Sequence, residues 1–247
     1  MKILIFGGSG LLGSALRSYF LKNKYNVFTT SNRNKADFLI NKLSKEKFKK
    51  IIQKIRPNII INCIALTDVD KCEKKISSSI LLNANIVNLI ISSIQEVKLK
   101  SHFIQISTDH VYDKSPSQKK NFEDDVSLTN IYSITKYLGE KISINYNKST
   151  VLRTNFFGWG PSYKASFSDK ILNNLSAGKQ ADLFDDVFYT PISVSSLRKQ
   201  VMGLVGKNYF FVSFFSGPHF SGFSETVFFI AFFSYCRAGT VFFLRFF

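Results

Sequence analysis

The stretch MKILIFGGSGLLG, residues 1–13, decides the fold predicted for this chain. It opens with a short apolar run, which is typical of a strand buried on both faces of a sheet. Gly7, Gly10 and Gly13 follow in the pattern G-x-x-G-x-x-G, and a helical pattern begins at Leu11. Glycines at this place allow a tight turn and let backbone amides approach a pyrophosphate at the start of the helix. The stretch therefore predicts a dinucleotide-binding loop, with a plain strand-to-helix turn as the alternative.

Apolar strands and amphipathic helices alternate along the first 154 residues. The strands are expected at 1–6, 26–30, 58–65, 102–107 and 150–154, and the helices at 11–21, 43–56, 76–96 and from 130 onward. Such an alternation requires right-handed crossovers and produces a mostly parallel sheet with helices on both faces. The predicted fold is therefore α/β, a Rossmann-type doubly wound parallel sheet followed by a smaller and incomplete substrate-binding region.

The composition is that of a soluble globular protein. The 247 residues are 45% hydrophobic and 20% charged, which is enough for a sizeable core. No secretory signal opens the chain, and we expect no membrane span. The three cysteines are too few for a disulfide framework, and the three histidines show no metal-ligand spacing. We therefore expect a cytoplasmic protein with no metal site.

The formal net charge of +16 allows two interpretations. In nucleic-acid-binding proteins, clustered cations follow the phosphates. The densest basic run here, residues 42–56, instead places Phe48, Ile51, Ile52 and Ile55 on one helical face and its lysines largely on the other. An AT-rich genome also accounts for many Lys, Asn and Ile codons. The charge therefore predicts no nucleic-acid partner, only a modest attraction for anionic cofactors and nucleotide-sugars.

The end of the second predicted strand bears on the choice of cofactor. In NAD-binding folds a carboxylate at this place bonds the adenosine ribose. Here the segment TTSNR, residues 29–33, offers Ser31 and Arg33 and no acid. A hydroxyl and a guanidinium suit a ribose 2′-phosphate, so NADP(H) is predicted, with NAD(H) as the alternative. The simpler explanation, that Arg33 only faces solvent, stays open.

The segment NIYSITKYLGE, residues 130–140, places Tyr132 and Lys136 one helical turn apart. Thr108 follows the strand at 102–107, where ligands bind in an open parallel sheet. A nearby ammonium favours the phenolate, so we expect it to lower the pKa of Tyr132. Tyr132 would then exchange a proton with a substrate oxygen while the cofactor exchanges a hydride with the carbon. An ordinary amphipathic helix is the alternative.

Several ordered motifs carry a family resemblance. The glycine loop is followed by NCIALTDVDKCE at 62–73, STDHVY at 107–112 and YSITKYLGE at 132–140. Together they resemble an extended short-chain dehydrogenase/reductase, and more narrowly the dTDP-4-dehydrorhamnose reductase family, from residue 1 to about residue 205. The resemblance implies hydride delivery from NAD(P)H to the C4 ketone of a dTDP-hexulose, in polysaccharide or cell-envelope sugar synthesis.

The resemblance also implies roles for individual residues. Thr108 would orient the substrate, Tyr132 would donate the proton and Lys136 would bind the nicotinamide ribose. The cofactor-binding residues predicted from the motifs and the resemblance are Gly7, Gly10, Leu11, Leu12, Gly13, Ser31, Arg33, Asp37, Phe38, Ala65, Thr67, Tyr132 and Lys136. The predicted substrate-binding residues are Asp109, Asn155, Phe156 and Trp159.

The chain is expected to divide into three parts. Residues 1–154 form the NAD(P)-binding domain, 155–209 a partial sugar-nucleotide-binding region and 210–247 an atypical tail. The tail holds 14 of the 26 phenylalanines and only three Asp, Glu, Lys or Arg residues, without helical or strand periodicity. We interpret it as a frameshifted reading frame, which predicts that a neighbouring frame encodes a charged, helix-patterned end. The alternative is a genuine hydrophobic tail that binds a membrane or a partner.

Three functions remain open from the sequence. The first is an NADP(H)-dependent reductase of a nucleotide-linked 4-keto-sugar, which we expect to be a homodimer. The second is a nucleotide-sugar epimerase or dehydratase with tightly held NAD, although Asp109 is the only acid directly beside Thr108. The third is a non-catalytic regulatory subunit of the same fold, as the regulatory subunit of methionine adenosyltransferase is.

Overall fold

The fold is a parallel α/β sheet with helices on both faces. The computed structural model describes residues 1–33, 36–112, 124–163, 165–179, 191–205 and the backbone of 212–214. The strands are β1 (Lys2–Phe6), β2 (Asn26–Ser31), β3 (Phe38–Leu39), β4 (Ile59–Asn62), β5 (His102–Ile106), β6 (Ser149–Arg153), β7 (Phe156–Phe157), β8 (Ile192–Ser193) and β9 (Val212–Phe214). The helices are α1 (Leu11–Lys22), α2 (Lys45–Ile55), α3 (Val69–Lys74), α4 (Ile76–Ile80), α5 (Ile86–Glu96), α6 (Ile131–Ile144), α7 (Phe167–Ser176) and α8 (Val194–Val205).

The seven strands of the main sheet run in the order β3-β2-β1-β4-β5-β6-β9, and every neighbouring pair is parallel. Strand order reverses between β1 and β4, because the chain moves outward from β1 in one direction and then returns to its other side. Ligands bind at such a switch point, outside the carboxyl ends of the strands. The predicted doubly wound Rossmann-type sheet is confirmed.

The core consists of two apolar layers, one on each face of the sheet. Alternate residues of β1 serve the two layers, since successive side chains of a strand point to opposite faces. On one face Ile3 and Ile5 pack with α1 and α8, and on the other Leu4 and Phe6 pack with α2 and α5. The rings of Phe6 and Phe48 meet edge to face, with centroids 5.1 Å apart. This burial on both faces explains the continuous apolar run at the start of the chain.

Local signals explain where the helices begin and end. Helix α2 starts after Ser44, whose side chain accepts a hydrogen bond from the amide of Lys47. It stops at Arg56, which has a left-handed φ of 48° and precedes Pro57. Helix α6, which carries the Tyr/Lys pair, starts with a capping box between Asn130 and Ser133.

Three features depart from the sequence interpretation. The helix expected at 76–96 is interrupted by a π-helical turn at Leu81–Asn85. The short strand β3 was not expected. Helix α8 packs on α1, and β9 pairs with β6, so both lie in the layers of the Rossmann domain although they follow residue 154. Contacts between distant segments, which a linear pattern does not record, place α8 and β9 there.

The helical stretch at 76–96 also matters for membrane association. Within the described ranges it is the one helix long and apolar enough to cross a membrane by length and composition, with a mean hydropathy of 1.4. Ile86, Val87, Ile90 and Ile94 are fully buried against the sheet.

The interpretation of the tail at 210–247 stays a prediction. Apart from 212–214, its residues lie outside the described part of the chain.

Candidate active site

The loop after β1 has the geometry that a dinucleotide pyrophosphate requires. Gly7 adopts a φ of +85°, which L side chains rarely adopt, and its carbonyl accepts a hydrogen bond from the amide of Gly10 at 3.1 Å. A Cβ on Gly13 would lie 2.2 Å from the Gly7 carbonyl oxygen. The helix can therefore approach the loop this closely only if residue 13 is glycine. A Cβ on Gly10 would meet only that oxygen, at 3.5 Å, which leaves its outer side open.

Helix α1 begins at this open side. Its N-cap residue, Gly10, supplies no side-chain acceptor, so the amides of Leu11, Leu12 and Gly13 have no intrahelical partner. Free amides at a helix start attract anions, because the helix dipole adds a partial positive charge. The donor set therefore fits a dinucleotide phosphate group.

Thr108, Tyr132 and Lys136 come together at the carboxyl end of β5. Thr108 is two residues beyond that strand, and its hydroxyl bonds the Tyr132 hydroxyl. Lys136 is 2% exposed, and its Nζ donates a 2.6 Å hydrogen bond to the carbonyl of Ile106. The phenol and the Thr108 hydroxyl thus meet just after β5, and the ammonium is bonded to the last residue of the same strand.

The pKa shifts in this group correct one expectation. Burial raises the pKa of Tyr132 to about 12, and the Thr108 hydrogen bond opposes this only in part. Burial also lowers the pKa of Lys136 to about 8, partly opposed by the charge of Glu140. The predicted lowering of the Tyr132 pKa by Lys136 is therefore wrong for this arrangement. Desolvation is the largest cause of the raised Tyr132 pKa, the charges of Asp109 and Cys72 add to it, and the Lys136 Nζ is directed to a backbone carbonyl instead of the phenol.

Asp109 and Asn155, both predicted to contact the substrate, lie next to this group. The Asn155 side chain donates to Asp109 Oδ2 at 3.1 Å, and burial raises the pKa of Asp109. The ring of His110 packs edge-on against Tyr132, with centroids 5.4 Å apart. His110, which the sequence interpretation did not select, therefore contacts the predicted proton donor.

A buried ion pair behind the site was missed by the sequence interpretation. Glu140, one turn after Lys136, accepts a 2.7 Å hydrogen bond from Arg153 at the end of β6, and both side chains are at most 4% exposed. The same carboxylate accepts from Ser107, and the same guanidinium donates to the hydroxyl of Tyr112. The pair joins α6 to the ends of β5 and β6. Its sequence signal was weak, since nothing in a linear pattern pairs two residues thirteen positions apart.

The loop after β4, with the predicted cofactor residues Ala65 and Thr67, is held by Asn83 of the π-helical turn. Asn83 accepts from the amide of Leu66 at 2.7 Å and donates to its carbonyl at 3.1 Å. The same side chain donates to the hydroxyl of Thr135 on α6 at 3.0 Å. One buried amide thus ties the loop to the helix that carries Tyr132 and Lys136.

A second group of predicted residues lies at the end of β2. The Ser31 hydroxyl is 2.6 Å from the Ser9 hydroxyl, and it accepts from the amide of Arg33 at 3.0 Å. Asp37 accepts from both the amide and the hydroxyl of Thr29, each at 2.8 Å. Its carboxylate therefore braces β2. Ser9, which the sequence interpretation did not select, joins this group through the glycine loop.

Three predicted residues, Phe38, Phe156 and Trp159, are packed against the core or exposed to solvent. The rings of Phe38 and Phe156 pack against the two core layers. Trp159 is 67% exposed. Their predicted roles toward cofactor or sugar stay predictions. No group of three metal-ligating side chains exists in the described ranges.

A parallel sheet with a glycine loop at its switch point, a threonine after β5, and a tyrosine and a lysine on α6 define an extended short-chain dehydrogenase/reductase. The chain belongs to the family described as RmlD substrate binding domain, whose model matches residues 1–229. This match runs past residue 205, where the sequence resemblance was expected to end.

Similar proteins carry reductase names. A dTDP-4-dehydrorhamnose reductase of Aggregatibacter actinomycetemcomitans is 30% identical over 158 residues, which is 63% of this chain and 51% of that protein. A crystal structure of such a reductase from Clostridium acetobutylicum is 25% identical, with a TM-score of 0.77 over 89% of this chain and 75% of that one. A Bacillus anthracis reductase solved with NADP is 23% identical, with a TM-score of 0.76 over 88% and 75% of the two chains.

Proposed function

We propose that this chain reduces the C4 ketone of a nucleotide-linked hexulose, of the dTDP-4-dehydrorhamnose kind, with NADP(H), or with NAD(H) as the second choice. The observation that carries the proposal is the position of Thr108, Tyr132 and Lys136 at the carboxyl end of β5, on the same edge of the sheet as the glycine loop. The reductase names of the family members support the substrate class. The chain spans 51% of the length of the Aggregatibacter relative. The activity of that whole protein is therefore proposed for this chain.

The residues divide the work of a ketone reduction. When bound, the nicotinamide supplies the hydride. Tyr132 donates the proton to the ketone oxygen, and its raised pKa keeps it protonated, as a donor must be, at neutral pH. Thr108 holds the same oxygen by a hydrogen bond. Lys136, with a pKa of about 8, is mostly charged at pH 7 and would bind the nicotinamide ribose.

The test is NADPH oxidation with a panel of dTDP-4-keto-hexuloses. We expect turnover with the native chain and a loss of roughly 10²–10⁴-fold in Tyr132→Phe, because the general acid is removed. Cofactor binding should persist in the variant. Tyr25→Phe is the matched control, since its ring packs on Phe20 away from the site. Near-normal turnover in Tyr132→Phe would remove the assignment.

A second candidate is a nucleotide-sugar epimerase or dehydratase, and Asp109 is the observation that favours it. Its raised pKa and its contact with Asn155 would suit an acid beside Thr108. Such an enzyme would retain NAD through purification and convert sugars without consuming NADPH. If the panel shows neither activity, a non-catalytic subunit becomes the better description.

We also propose the setting in which the reaction occurs. The nucleotide-sugar partner implies a place in polysaccharide or cell-envelope sugar synthesis. A cytoplasmic location suits the free thiols of Cys63 and Cys72. A homodimer is proposed from the exposed apolar face of α4 and α6.

A further inference from the structure

Residues 158–163 form a strap that leaves β7, passes the glycine loop and leads towards α7. A Cβ added to Gly158 would lie 3.8 Å from Cδ1 of Leu11, so the strap begins beside the first turn of α1. Asp169 of α7 accepts a 2.7 Å hydrogen bond from the amide of Gly160 and secures the middle of the strap. The strap thus joins the predicted sugar-binding region to the mouth of the cofactor site.

The strap ends on the residues that the sequence assigned to the adenosine end of the cofactor. The hydroxyl of Tyr163 donates to the carbonyl of Ser9, within the glycine loop. The ring of Tyr163 lies under the guanidinium of Arg33, with the guanidinium carbon 3.9 Å from the ring centroid. The Ser9 side chain in turn meets Ser31. One tyrosine therefore contacts the loop and the arginine at the same time.

The stacking leaves the charge of Arg33 available. A guanidinium that lies on a ring uses its flat face, and its N–H groups stay free in the plane for a phosphate. Within the described ranges the guanidinium of Arg33 has no hydrogen-bond acceptor or acidic partner. The nearest acid along the chain, Asp37, is engaged by Thr29 and lies 3.9 Å from Arg17.

We propose that Tyr163 and Ser9 are specificity residues for the ribose 2′-phosphate of NADP(H). Tyr163 holds the Arg33 guanidinium in place, and the hydroxyl pair of Ser9 and Ser31 donates to the same phosphate through the one proton that their mutual hydrogen bond leaves free. This inference rests on the proposed function, because it requires that a nicotinamide dinucleotide binds along the glycine loop. It adds a residue of the sugar-binding region to the discrimination between NADP and NAD.

Calorimetric titration of the full chain with NADP⁺ and NAD⁺ tests the inference without relying on turnover. Tyr163→Ala should weaken NADP⁺ binding roughly three- to tenfold and leave NAD⁺ binding unchanged, as expected for a lost cation–π support. Tyr163→Phe keeps the ring and should retain the preference. Ser9→Ala should weaken NADP⁺ roughly two- to tenfold through a lost hydrogen bond. In an Arg33→Ala background, Tyr163→Ala should have no further effect on the NADP⁺ affinity.

Tyr19→Ala is the matched control, because Tyr19 on α1 also lies under an arginine. The guanidinium carbon of Arg198, on α8, is 5.0 Å from the centroid of the Tyr19 ring. Tyr19→Ala should leave both affinities unchanged. A native chain that binds neither dinucleotide overturns the proposed function together with this inference. A native preference for NADP⁺ that survives in Tyr163→Ala overturns the inference alone. Tighter NADP⁺ binding in Tyr163→Ala also overturns it, since the ring would then be blocking the site.

Discussion

At the scale of single residues, Tyr132 and Lys136 show how burial sets the chemistry of the site. Both side chains are at most 8% exposed, and desolvation penalises the charged form of each. The pKa of the phenol therefore rises and that of the ammonium falls, although the two residues are one turn apart. A neutral phenol is the form that a ketone reduction needs.

The shifted pKa of Lys136 predicts a pH dependence of stability in the cofactor-free chain. Its pKa is about 8 in the fold, against 10.5 for an ordinary lysine. Between about pH 8 and 10 the unfolded chain keeps a proton that the folded chain has released, so rising pH favours the folded state. Burial also raises the pKa of Cys63 from 9.0 to about 12, which acts in the opposite direction above about pH 9, so we expect the free energy of unfolding, measured in urea, to rise between about pH 8 and 9.

Lys136→Met should flatten that rise, because the variant has no proton to release. Lys141→Met is the control, since Lys141 is an exposed residue of the same helix and its loss should leave the slope intact. An unchanged slope in Lys136→Met would show that the ammonium is not desolvated in the fold.

At the scale of elements, the position of α6 depends on a close contact with the π-helical turn at 81–85. A Cβ on Gly139 would lie 2.4 Å from the backbone carbonyl oxygen of Asn83. Only glycine permits this approach, which in turn lets the Asn83 side chain reach Thr135 at 3.0 Å. The turn, the loop after β4 and the helix of Tyr132 are therefore positioned together.

Gly139→Ala should push α6 away from this turn and destabilise the fold by about 1–3 kcal/mol. Gly203→Ala is the control, because Gly203 is also helical and a Cβ there would meet nothing within 4 Å. It should stabilise the chain by roughly 0.5–1 kcal/mol, as expected from helix propensity. Thermal unfolding of the two variants distinguishes the effects, and equal melting temperatures would refute the contact.

On the surface of the whole molecule, two helices on one side of the sheet expose apolar side chains. Helices α4 and α6 lie side by side and expose Ile80, Ile134 and Leu138, each 43–45% exposed. A second copy of the chain would bury these side chains, since most soluble oligomers are symmetric dimers that use one self-complementary patch.

We expect a native mass of twice 28.1 kDa by light scattering after size exclusion. Leu138→Glu should yield the monomer, because it places a charge in the apolar patch. Leu21→Glu, at an exposed leucine of α1 on the other side of the sheet, should remain dimeric. A monomeric native chain, or a dimer that survives Leu138→Glu, would contradict this arrangement.

Features that depend on local pattern could be predicted from the amino-acid sequence. The apolar strand, the three glycines and the helix start are contiguous, so periodicity and residue type indicate the β–α–β order and the phosphate loop. Tyr132 and Lys136 were selected because their spacing is one helical turn. Thr108 was selected because it follows β5. The cofactor class followed from Ser31, Arg33 and the absence of an acid beside them.

The folded structure was needed to show what depends on contacts between distant segments. It directed Lys136 to a backbone carbonyl and buried Tyr132, which reversed the expected direction of its pKa shift. It also placed Tyr163 under Arg33, 130 positions away in the sequence, and paired Glu140 with Arg153. The physical reason is that desolvation and long-range pairing arise from the packing of several elements, and no single segment of sequence records them.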